Sequence, residues 1–179
     1  MRVAFRHLRR LRNRRPGQSS RRGAIYLEFL LVFPILFIAT LALFEFLFVA
    51  LIMQAVTATT LEAAREAAKV GATPSEVEQV VAGYLGIHNL AAGGTLDSTS
   101  NGLVHVFVER PVSGDYNLGN TAIPCFPQGG VLPPSQTRVT VSVRLTDAQG
   151  KRPVPNMLRS FGFDLGSSRF ELSSKETLE

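Results

Sequence analysis

The sequence predicts an α+β protein. A long N-terminal transmembrane helix continues into a small extracytoplasmic domain with a second helix and a three-stranded antiparallel sheet. Three observations predict it. From Phe29 to Met53 the only charged residue is Glu45, a run of 25 residues. That is about 37 Å of helix, enough to cross a ~30 Å hydrocarbon core with some tilt. Helical spacing with start and stop signals then runs through "TTLEAAREAAKVG" and "TPSEVEQVVAGYLG". The period finally changes to two in "LVHVFVE" (Leu103–Glu109) and "RVTVSVRL" (Arg138–Leu145).

The chain opens on a basic leader. Among 179 residues there are 19 Lys+Arg and 14 Asp+Glu, a formal charge of +5. Nine arginines precede Gly23 and no acid does, which leaves ten bases against fourteen acids after it. The basic character therefore belongs to residues 1–23 and not to a domain face, which argues against a nucleic-acid partner. Arginine-rich flanks stay in the cytoplasm. The N-terminus is expected inside, the span at residues 24–53, and residues 54–179 on the outer side of the cytoplasmic (inner) membrane.

Three export readings are open. A secretory signal peptide has a shorter apolar region, although "AVTA" at Ala55–Ala58 has the form of a cleavage site. Arg21-Arg22 fits a twin-arginine signal, but the run behind it is long and very apolar. The third reading cuts before the run, after Gly23, where the lack of a side chain admits a protease to the backbone.

Two carboxylates need an explanation. Glu28 sits at the mouth of the apolar run, where it suits the positive end of the helix by about 0.3–1 kcal/mol. Glu45 lies in the outer half of the span. Intramembrane carboxylates usually face a partner or water. Two readings of Glu45 are open: contact with a partner, or a carboxyl kept protonated or reaching for the outer interface. The seventeen residues between the two acids place them about 100° apart around the helix. Pro34 between them is expected to kink it.

Beyond the membrane the helix is expected to reach Val70, with Gly71 as its stop. Thr57, Leu61, Ala64 and Ala68 form a packing face, and Glu62–Arg65 and Glu66–Lys69 form i,i+3 pairs opposite. In the second helix Thr73 and Glu76 have capping-box spacing, Pro74 suits the first position and Gly86 the end. In the Arg138–Leu145 strand Val139, Val141, Val143 and Leu145 face one way and Thr140, Ser142 and Arg144 the other. That predicts a half-buried sheet with one wet face. "SRFELS" (Ser168–Ser173) reads as the third strand, after a short helix near Asn156–Phe161. The proline-rich connection at 111–136 is either a contact surface or a solvated excursion.

No enzyme signature is present: no G-x-G-x-x-G, no Walker loop and no G-x-S-x-G. His7, His88 and His105 are scattered, so neither a metal nor another cofactor is expected. His105 shares a strand face with Leu103 and Phe107 and reads as a packed histidine. Cys125 is the only cysteine, which excludes an intrachain disulfide.

"RRG-AIYLEF" resembles the type IV prepilin leader: basic residues, a glycine, then a carboxylate five residues on. More specifically, residues 21–70 are similar to the TadE-like pseudopilins of the tight-adherence (Flp) pilus. The matching positions are Gly23, Glu28-Phe29, Pro34, Glu45-Phe46 and the "AAREAA" stretch at Ala63–Ala68. TadF-like and TadG-like proteins share parts of this pattern. The resemblance implies a pilin-like fold and cleavage between Gly23 and Ala24 by a membrane prepilin peptidase. It also implies that Glu28 pairs with the new amine of a neighbouring subunit, and that Glu45 contacts another pseudopilin or the inner-membrane pilus platform. The expected function is that of a minor pseudopilin in pilus assembly, initiation or priming. An uncleaved, signal-anchored binding or adaptor protein is the alternative, and a secreted hydrolase is disfavoured by the missing constellation.

Overall fold

The computed structural model describes residues 18–91, 93–147, 149–150, 155–164 and 168–179, with side chains from Gly23 onward. The arginines before Gln18 lie outside the described residues. The elements are α1 (Gln18–Ala68), α2 (Pro74–Gly86), β1 (Val104–Glu109), β2 (Tyr116–Gly119), β3 (Gln136–Arg144), a 3-10 turn (Arg159–Phe161) and β4 (Arg169–Thr177). The chain divides into two compact units between Leu41 and Ala42.

In the first unit α1 is exposed all round from Gly23 to Phe37. Apolar residues occupy every face, as expected of a helix whose solvent is lipid. It is one helix near the N-terminus long and apolar enough to cross a membrane. Phe29, Phe33 and Phe37 stack at four-residue intervals, with centroids 5.6 and 6.2 Å apart. Pro34 lies inside the helix without ending it. Because proline has no N–H, the Leu30 carbonyl loses its partner one turn back.

The second unit begins within α1. From Ala42 onward the helix buries a single stripe that includes Glu45, Ile52, Val56, Thr60, Ala63 and Ala67. Of the expected face Ala64 and Ala68 are buried, but Thr57 and Leu61 are exposed, and Val56, Thr60, Ala63 and Ala67 are buried instead. The reason is steric. Ala63, Ala64 and Ala67 share one core with the valines of the sheet, where a larger side chain would need more room. The buried Thr59 and Thr60 hydroxyls donate to the carbonyls of Ala55 and Val56 and so leave no unpaired donor. Arg65 and Lys69 pair with Glu62 and Glu66 at 2.7 and 2.6 Å on the wet side.

The helix ends at Ala68, and Gly71 turns the chain in the left-handed region (φ 77°). The predicted capping box opens α2. Thr73 Oγ1 accepts from the Glu76 N–H, and Glu76 Oε2 accepts from the Thr73 N–H at 2.8 Å. Arg110 donates to the Ala72 carbonyl at 3.0 Å, tying the end of β1 to this turn.

The sheet has four strands, not three, in the order β2-β1-β3-β4, each neighbouring pair antiparallel. The additional strand, β2, lies inside the proline-rich connection. Val104, Val106 and Val108 of β1 and Val139, Val141 and Val143 of β3 form one core with Ala63, Ala67, Val77, Val81 and Leu85 from the helices.

The opposite face is not wet. Thr140 and Ser142 are as buried as the valines between them. Residues 120–130 form a strap across this face, and the sheet's polar side chains meet the strap's backbone. His105 Nδ1 lies 2.7 Å from the Ile123 carbonyl, and Ser142 donates to the Pro124 carbonyl at 3.1 Å. The Phe126 and Gln128 N–H groups donate to Glu171 and Ser173. Arg138 Nη1 donates to the carbonyls of Gln128, Gly129 and Gly130, while its Nη2 meets Glu109 at 2.8 Å. Where the strap lies against the sheet its peptide groups need partners outside the sheet ladder. His105, Arg138, Ser142, Glu171 and Ser173, at alternate positions of β1, β3 and β4, supply them.

Candidate assembly site on the N-terminal helix

Gly23 lies within α1 and has no positive φ, and a Cβ built there meets nothing within 4 Å. The fold thus places no demand for glycine at this position. In a helix glycine is about 0.5–1 kcal/mol less favourable than alanine. Ala24 is likewise exposed.

Glu28 is exposed and, among the described residues, makes neither a hydrogen bond nor an ion pair. It is the only charged residue between Ala24 and Phe37. A carboxylate on an otherwise apolar surface is costly to keep in lipid unless something outside its own helix compensates it.

Glu45 is placed differently. It is 2 % exposed, and its Oε2 accepts a hydrogen bond from the Leu158 N–H at 3.0 Å. The Glu45 carboxylate therefore has a partner within the chain. Leu158 precedes the 3-10 turn, which Gly162 ends in the left-handed region (φ 89°). Asn156 Nδ2 donates to Asp164 Oδ1 at 2.9 Å and closes the base of the segment. The turn occupies part of the stretch read as a short helix at Asn156–Phe161. Its link to Glu45 left no local signal in the sequence. The structure thus separates the two acids: Glu45 is engaged by the fold, and Glu28 is presented outward.

His105 is a packed histidine whose Nε2 lies 2.9 Å from Asn117 Oδ1, so it joins β1, β2 and the strap. Burial pushes the Cys125 thiol up to about 12, and its Sγ donates to the Thr140 carbonyl at 3.6 Å. That is an inert, packed thiol. A groove of about 550 Å³ between the charged side of α1, α2 and the end of β4 is lined by Glu62, Arg65, Lys69, Tyr84 and Glu176. Its two basic residues are already paired with acids of the same wall. Among the described residues no group of three His, Cys, Asp or Glu is arranged to hold a metal ion.

No family model, curated protein or solved structure matches this chain.

Proposed function

We propose that the chain is a minor pseudopilin of the TadE-like kind. Prepilin peptidase cuts it between Gly23 and Ala24 at the cytoplasmic face of the inner membrane, and the domain after the span faces outward. The mature protein works with other pilin-type subunits and the inner-membrane platform to initiate or prime a tight-adherence pilus or a related secretion fibre. It acts by assembly and not by catalysis.

The observation that carries this reading is the contrast between Glu28 and Glu45. The fold uses Glu45 and leaves Glu28 exposed on an apolar helix. Cutting after Gly23 creates an α-amine at Ala24 with an ordinary pKa of about 7.7–8.0. An ammonium held against apolar surface requires a counter-charge. Glu28 of an adjoining subunit supplies it and sets the stagger between subunits. The unconstrained glycine supports the same reading, since a peptidase that needs backbone access gives a reason for Gly23 that the fold does not. So does the architecture, a long apolar helix whose later part packs on an antiparallel sheet, as in a pilin.

A secretory cut after Ala58 fits the structure poorly. It would strip Glu45, Ile52 and Val56 from the second unit.

The test is Glu28→Gln in the native host. The variant should be processed normally and fail to enter the fibre or to co-purify with its partner subunits. Normal fibres containing it would remove the pairing role.

A further inference from the structure

The segment Pro155–Asp164 carries apolar side chains that the fold does not cover. Phe161 and Phe163 are 45 % and 64 % exposed, and Met157 is exposed beside them. Its backbone is fixed to α1 by the Leu158–Glu45 hydrogen bond. On the uncovered side of the helix around that point, Leu43, Phe44, Phe46, Leu47, Phe48 and Leu51 are exposed as well. Both sets lie close in sequence to the Glu45–Leu158 hydrogen bond, which puts them at one level along α1.

That level is set by helix length. Twenty-one residues separate Ala24 from Glu45, about 31 Å of α-helix. A hydrocarbon core is ~30 Å thick. With Ala24 at the inner boundary, Glu45 and the segment bonded to it fall at the outer one. Aromatic side chains gather at such boundaries, and cations suit the headgroups above them. Arg159 is exposed and has no carboxylate partner among the described residues.

We infer that Pro155–Asp164 is a membrane-seated foot, with Phe161, Phe163 and Met157 entering the acyl boundary of the outer phospholipid leaflet. Its occupant is lipid because the apolar surface of α1 at the same level runs on, along the sequence, into the span. Glu45 holds the foot at its depth, which is why a carboxylate is buried there. This inference rests on α1 being a membrane anchor.

The chain has no tryptophan, so single-Trp variants report one position each. The full chain carrying Phe161→Trp or Phe163→Trp is placed in vesicles of phosphatidylethanolamine and phosphatidylglycerol brominated near the headgroup end of the acyl chains. Leu36→Trp marks the span, and Val131→Trp, at a site 99 % exposed, marks water. The foot predicts that both Phe variants are quenched by lipid bromine several-fold more than Val131→Trp and are shielded from aqueous iodide. Iodide quenching of both at the level of Val131→Trp, with Leu36→Trp still quenched by bromine, overturns the foot and leaves the anchor standing. Shielding of both from either quencher means a protein covers them, a second copy included, and overturns the lipid assignment. Failure of bromine to quench Leu36→Trp removes the anchor, and the foot with it.

Discussion

The Glu45 carboxylate and the Leu158 N–H meet at 3.0 Å across 113 positions of the chain. One side chain of the apolar helix thereby holds a segment near the other end of the sequence. Glu45→Ala leaves the Leu158 N–H unpaired and opens space beside it. The expected loss is about 1–3 kcal/mol of stability, and Glu45→Gln, which keeps an acceptor oxygen, costs less. Chemical unfolding in detergent gives the magnitude. Hydrogen exchange at the Leu158 amide gives the location, and unchanged protection there in Glu45→Ala would contradict the contact.

Arg138 is 4 % exposed and joins Glu109 to three consecutive strap carbonyls. Glu109 is only partly buried, so the scale is that of leaving hydrogen-bonding groups unpaired, about 1–3 kcal/mol. Arg138→Ala should lose an amount of that order and make residues 128–130 a site of early proteolytic cleavage. A variant as stable and as protease-resistant as the parent would show that the strap is held some other way.

Cys125 links stability to alkaline pH. Burial lifts its thiol from the ordinary 9.0 to about 12. Below pH 9 the thiol is protonated in both states and contributes no pH dependence. Between 9 and 12 the unfolded chain ionises while the folded one does not, so stability falls as pH rises. Cys125→Ala should flatten that part of the profile. The native thiol should also react with iodoacetamide at pH 8 far more slowly than the unfolded chain does.

Gly23→Ala separates the fold from the processing. An added Cβ meets nothing within 4 Å, so α1 should remain helical and gain about 0.5–1 kcal/mol of local helix preference. The precursor should nevertheless accumulate in the membrane fraction. Full conversion of Gly23→Ala to the mature form would mean that glycine is not what the peptidase reads.

The elements visible in the sequence are those whose signals are local. Thr73, Pro74, Glu76 and Gly86 mark both ends of α2, and the alternating valines mark β1 and β3. β2 was hidden because "YNLG" is four residues long and sits at a sheet edge among turn residues. The polar face of β3 reads as solvated because a threonine facing water and one facing a strap carry the same letter. What distinguishes them is the partner: Ser142 meets the Pro124 carbonyl 18 residues away, and Glu171 meets the Phe126 N–H 45 residues away. At Glu45 the same limit applies. Spacing places the acid on the helix, but only the fold brings Leu158 to it.

The mass of the intact protein extracted from the membranes of its native cells tests the central claim most directly. Processing after Gly23 predicts the mass of residues 24–179, with Ala24 as the first residue on terminal sequencing. A chain that still carries Arg21 and Arg22 would contradict it and make the protein an uncleaved, signal-anchored domain.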